Sequence, residues 1–124
     1  MPLMNKTSAN TVEMNGVSFV PIAAPSRGSQ ESVMWRTTVS PNTPGALHHL
    51  TREELILAVS GTALVHIGEE SHPLAPGDAF AVPAFTDFRV DCVGDTPFEF
   101  VAVLPVGGRA VMPGKPAFAL PWSL

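Results

Sequence analysis

Gly45-Ala-Leu-His48-His49-Leu-Thr-Arg-Glu53-Glu54-Leu-Ile-Leu-Ala-Val-Ser-Gly61 is one half of the segment that decides the fold. The other half, reached through a hairpin, is Pro73-Leu-Ala-Pro76-Gly77-Asp78-Ala-Phe-Ala-Val-Pro83-Ala-Phe-Thr-Asp87-Phe88-Arg-Val-Asp-Cys92-Val93. The apolar run after Glu54 ends at Gly61, too soon for a stable helix, and reads as a strand. In the second half Phe88, Val90 and Cys92 alternate with Asp87, Arg89 and Asp91, so the first set faces a dry interior and the second faces water. Successive strand side chains point to opposite faces, so only one of His48 and His49 can point inward.

The same period of two extends outward along the chain. Val17–Ala24 and Ser32–Ser40 are expected as strands; in the second, Val33, Trp35, Thr37 and Val39 alternate with Met34, Arg36 and Thr38. Ser40-Pro-Asn-Thr-Pro-Gly45 is a turn cluster. Thr51 and Glu54 have capping-box spacing, but the short run that follows favours a loop there. Thr62–Ile67 and Ser71–Leu74 flank a hairpin at Gly68-Glu69-Glu70. Ala79–Val82, Phe88–Val93, Pro97–Leu104 and Arg109–Met112 complete roughly ten short strands separated by turn signals, which makes an all-β sandwich or barrel. Residues 1–15 are polar and expected to be a flexible N-terminal segment. Residues 16–124 are expected to be a single β-barrel domain with a C-terminal tail.

Composition bounds the function. The 124 residues are 45% apolar, enough for one globular core. Pro (13) and Gly (10) are frequent, as a chain of many short elements and turns requires. A net charge of −4 without a basic cluster argues against nucleic-acid or anionic-membrane binding. Cys92 is the single cysteine and needs no oxidising compartment. The first ten residues lack a signal-peptide apolar core, and no apolar run reaches the ~20 residues of a membrane span. A cytoplasmic protein is expected.

The two quoted halves resemble the two-part signature of the cupin superfamily. The resemblance covers about half the chain and implies a double-stranded β-helix, or jelly-roll barrel. It also implies a divalent metal held by three histidines and a glutamate. The first motif runs H-x-H, three or four residues, Glu, six residues, Gly; Glu54 and Gly61 fit its end. With a four-residue gap, His49 is the second histidine and Leu47 replaces the first. With a three-residue gap, His48 is the first and Leu50 replaces the second. The first alignment is favoured, with His49 inward. In the second motif Gly77-Asp78 and Pro83 hold their places, Pro76 is displaced, the histidine position is Phe88 and the asparagine position is Cys92.

The expected site is therefore a ligand pocket walled by Leu47, Phe88, Val90, Cys92 and Trp35, with His49 and Glu54 orienting a small, partly apolar molecule. No cofactor is favoured. A divalent metal (iron, manganese, zinc or nickel) would have to use His49 (or His48) and Glu54, with His66 the nearest further donor; catalytic zinc typically takes three protein ligands. Adjacent histidines at a strand start are more often surface groups than ligands. A buried Glu54 needs a partner: His49, Arg36 or water. His72, Glu53, Glu69 and Glu70 read as solvated, and Cys92, Trp35 and Phe88 first of all as core.

Two functions follow. The first is a small-molecule-binding protein of unnamed ligand with a largely lost metal site. The alternative is a metal-dependent enzyme of the oxygenase or isomerase type with a reduced ligand set around His49 and Glu54. Leu55–Val59 and Phe98–Leu104 are apolar on both faces, so an outer cover is expected from Val17–Ala24, from Ala117–Leu124 or from a second subunit. A homodimer is the expected assembly.

Overall fold

A computed structural model describes residues 2–124. Among the described residues twelve strands are formed: β1 Val12–Met14, β2 Val17–Ala23, β3 Ser32–Val39, β4 His49–Leu50, β5 Glu54–Ser60 and β6 Ala63–Ile67, then β7 Glu70–Leu74, β8 Ala79–Val82, β9 Phe88–Cys92, β10 Phe98–Pro105, β11 Arg109–Val111 and β12 Phe118–Ala119. One sheet has the order β1-β2-β3-β10-β5-β8. Two three-stranded sheets, β12-β11-β4 and β7-β6-β9, are joined into a second layer by the antiparallel bridge of His48 with Phe88. This is an all-β jelly roll.

Alternation builds each layer. Val33, Trp35, Thr37 and Val39 of β3 point into the core, as do Phe98, Phe100, Ala102 and Leu104 of β10, which pairs with β3 along its whole length. Glu54, Ile56 and Ala58 of β5 lie on the same inner face. Gly61 ends β5 because nothing larger fits: it has φ +79°, and a Cβ there would stand 2.2 Å from the Pro97 carbonyl oxygen. Gly45 serves the other half of the signature, since a Cβ would stand 2.3 Å from the Val90 carbonyl oxygen.

Thr51–Glu53 is a bend between strands, as expected, and the β6–β7 hairpin turns at Gly68-Glu69. Val12–Met14 pair with β2 as β1, and Asn5 caps a 3-10 turn at Lys6–Ser8. The tail departs from its expected role. It forms β12 against β11, and the 3-10 turn Pro121–Ser123 sets Trp122 on Phe19, with ring centres 3.7 Å apart and an angle of 4°. Trp122 also meets the edge of Trp35 at 6.1 Å. The tail thus packs on the inward side chains of β2 and β3. The outer β5 residues Leu55, Leu57 and Val59 stay 48%, 45% and 43% exposed. Apolar area in the tail is better hidden among aromatic rings than on a flat sheet face.

Among the described residues no helix is long and apolar enough to cross a membrane.

Candidate functional site

Which histidine faces inward is decided by β9. His48 N–H donates to the Phe88 carbonyl at 3.1 Å, and Phe88 N–H donates to the His48 carbonyl at 2.8 Å. Residues directly opposed in an antiparallel ladder share a face. Phe88 is 2% exposed, and the His48 ring lies 4.5 Å from its centre. His48 therefore takes the interior side and His49 the outer side. There His49 Nδ1 donates to Asp87 Oδ1 at 3.0 Å, beside the Phe85 ring.

The favoured alignment is thereby corrected. Leu50, two residues after His48, is buried, whereas Leu47 is 44% exposed. The three-residue gap is the one realised: His48, Leu50, Glu54 and Phe88 occupy the four positions at which the resemblance implies ligands.

Glu54 opens β5 opposite Val82 of β8 and is 4% exposed. Burial alone pushes its carboxyl up from 4.5 to about 8. Neither expected protein partner reaches it. His49 points outward, and Arg36 pairs with Glu99 at 2.9 Å on the outer face. Among the described residues no ion pair or hydrogen bond to the Glu54 carboxyl is found. His48 Nδ1 lies 2.8 Å from the Ala46 carbonyl oxygen, so Nδ1 carries the proton and Nε2 remains an acceptor. Burial lowers the His48 pKa, and the Ala46 hydrogen bond only partly opposes it. At neutral pH the inner groups are a carboxylic acid and an uncharged imidazole.

Val90, Cys92 and Trp35, expected to wall a pocket, are buried in the core. Val90 and Cys92 follow Phe88 inward along β9, and Cys92 Sγ lies 3.3 Å from the Thr96 carbonyl oxygen. Trp35 packs on Trp122. The hydroxyl of Thr37 and the indole nitrogen of Trp122 are buried without a hydrogen-bond partner among the described residues. His72 is exposed and meets Glu70 Oε2 at 3.2 Å.

The residues do not fit a cupin metal centre. Two of the four ligand positions carry Leu50 and Phe88, and among the described residues no three of His, Cys, Asp and Glu converge to hold an ion. His66 offers no further inward donor, because it sits on the outer face of β6 opposite Ser71 and Arg89. Its Nε2 donates to Asp91 Oδ2 at 3.0 Å, and the Ser71 hydroxyl donates to its Nδ1 at 2.8 Å. Asp91 also accepts from Gly45 N–H at 2.7 Å and Arg89 Nε at 3.3 Å. Sequence reasoning left this cluster unread. The outward parity of Asp91 was visible, but the cross-strand register that brings His66 and Ser71 to it was not.

Comparison with known proteins agrees with this architecture. The family model of the cupin domain matches residues 35–104, more than half of the chain. The chain belongs to the cupin family. Among curated proteins, none matches it in sequence. Among solved structures it is similar to the 7S globulin of Momordica charantia, with TM-score 0.76 and 17% identity, over 90% of this chain and 37% of that one. The polyketide cyclase RemF of Streptomyces resistomycificus gives 0.76 and 18%, over 99% and 89%. The salicylate 1,2-dioxygenase of Pseudoaminobacter salicylatoxidans gives 0.72 and 16%, over 86% and 31%. This chain spans about a third of the globulin and of the dioxygenase, and most of the cyclase. At these identities the likeness establishes the fold.

Proposed function

We propose that this cupin binds a small, uncharged, partly apolar molecule in its barrel without a resident metal. The observation that carries the reading is the Glu54 carboxyl, buried with no charged or hydrogen-bonding partner. Such a group destabilises the free protein. A ligand that accepts a hydrogen bond from the protonated carboxyl, while donating one to His48 Nε2, offsets that penalty. Apolar Leu50 and Phe88 on the His48 layer favour a ligand with a hydrocarbon body, and the unpartnered Thr37 hydroxyl gives the interior a further polar group.

The assembly we propose is a homodimer in the cytoplasm, covering the outer stripe of Leu55, Leu57 and Val59. The test of the binding reading is native mass spectrometry of the untagged protein followed by a ligand screen. A retained organic molecule, or a hit whose affinity falls in Glu54→Gln and His48→Ala, supports it. Failure of every hit to respond to those substitutions overturns it.

A metal-dependent enzyme is the second reading. It is kept because His48 and Glu54 lie on the inner faces of the two layers; about one metal ion per chain, lost in either variant, would select it.

A further inference from the structure

We propose that Ser71, His66 and Asp91 form a nucleophilic site on the outer face of the β7-β6-β9 sheet that hydrolyses small carboxylic esters. It lies on the opposite side of this sheet from His48 and is independent of the barrel ligand. Three strands each supply one member: Ser71 from β7, His66 from β6 and Asp91 from β9. Nucleophile to base is 2.8 Å and base to carboxylate is 3.0 Å, both within the range required of such a relay. The donors fix the tautomer. Asp91 only accepts, so His66 is protonated at Nε2 and its Nδ1 is free to take the Ser71 proton. Asp91 is held in place by Gly45 N–H on one oxygen and by Arg89 Nε on the other.

The edge position of β7 supplies a further element. Ile67 and Glu70 close a two-residue turn, so they form a hydrogen-bonded pair and the next pair, His66 with Ser71, is of the non-hydrogen-bonded kind. Side chains approach more closely in such a pair, which accounts for the short Ser71–His66 bond. The backbone N–H of Ser71 then points to the edge of the sheet, where no strand follows β7 among the described residues. It is available to donate to an oxyanion. Since the site is an open face with an exposed serine, it suits small substrates with a good leaving group.

The chemistry closes with water as the only co-reactant. Ser71 Oγ bonds to the ester carbon as His66 Nδ1 takes its proton, and the ester C–O bond breaks as that proton passes to the departing alkoxide. Water, deprotonated by His66, then attacks the acyl-serine, and Ser71 recovers a proton as the carboxylic acid leaves. Ser71 and His66 are the catalytic residues and Asp91 is a positioning residue.

The experiment uses the full chain with a fluorophosphonate probe and with p-nitrophenyl acetate. One adduct per chain is expected, mapped to Ser71 and lost in Ser71→Ala and His66→Gln. Hydrolysis falls about a hundredfold in Ser71→Ala, and Asp91→Asn lowers kcat while leaving KM unchanged. Glu53→Gln, at an exposed position outside the cluster, alters neither readout. No adduct on Ser71, or a Ser71→Ala variant that keeps the parent rate, overturns the proposal. The retained rate would mean that an imidazole alone acts on the ester.

Discussion

His48 and Phe88 face each other across the β4–β9 bridge, exchanging backbone hydrogen bonds of 3.1 and 2.8 Å with their rings 4.5 Å apart. An imidazole and a phenyl ring thus share the interior side at two positions where the family resemblance implies two histidines. The pairing holds the two three-stranded sheets together as one layer. We propose that it also converts a metal-ligand position into a wall.

Metal content tests that conversion. Protein purified without a histidine tag is expected to carry far less than one iron, manganese, zinc, copper or nickel per chain by elemental analysis. The double variant Leu50→His, Phe88→His restores imidazole at both substituted positions beside His48 and Glu54, and is expected to bind a divalent ion. Wild-type protein with one metal per chain would refute the reading.

Stability should depend on pH through Glu54. Its carboxyl titrates near 8 in the folded chain against an ordinary 4.5, so the folded state holds the proton that the unfolded state has lost between those values. Stability is therefore full below about 4.5 and declines as pH rises toward 8. Replacement by Gln removes the dependence. Relative to Glu54→Gln, the wild type should lose on the order of 4 kcal/mol between pH 4.5 and 8, measured by urea unfolding. Parallel curves for the two proteins would contradict it.

The tail should be part of the core. Trp122 stacks on Phe19 at 3.7 Å and meets the edge of Trp35 at 6.1 Å. Trp122→Ala is expected to destabilise the chain by about 3 kcal/mol, read from the denaturant midpoint. A change within experimental error would mean that the tail is a surface flap.

Assembly is testable at the β5 stripe. Light scattering is expected to give a dimer, and Leu57→Lys a monomer with an unchanged circular dichroism spectrum. Leu57 is 45% exposed, so a monomeric lysine variant need not disturb the interior. A wild-type monomer at tens of micromolar would remove the proposal.

What the sequence by itself determined was the set of quantities carried by local period and spacing. Alternation put Phe88, Val90 and Cys92 inside and Asp87, Arg89 and Asp91 on the polar side, and β9 has that pattern. Glu54 and Gly61 were legible because their spacing matches the end of the family's first motif, and Gly61 takes the positive φ that favours glycine. What only the tertiary structure decided was parity and register between segments distant in sequence. Two gap lengths fitted the first motif, and a one-residue shift exchanges the faces of His48 and His49. The choice came from hydrogen bonds to Phe88, 40 residues along the chain by the numbering. The same reason hid the Ser71–His66–Asp91 cluster, which exists only through the β7-β6-β9 register. The docking of Trp122 on Phe19 likewise depends on contacts that no local pattern encodes.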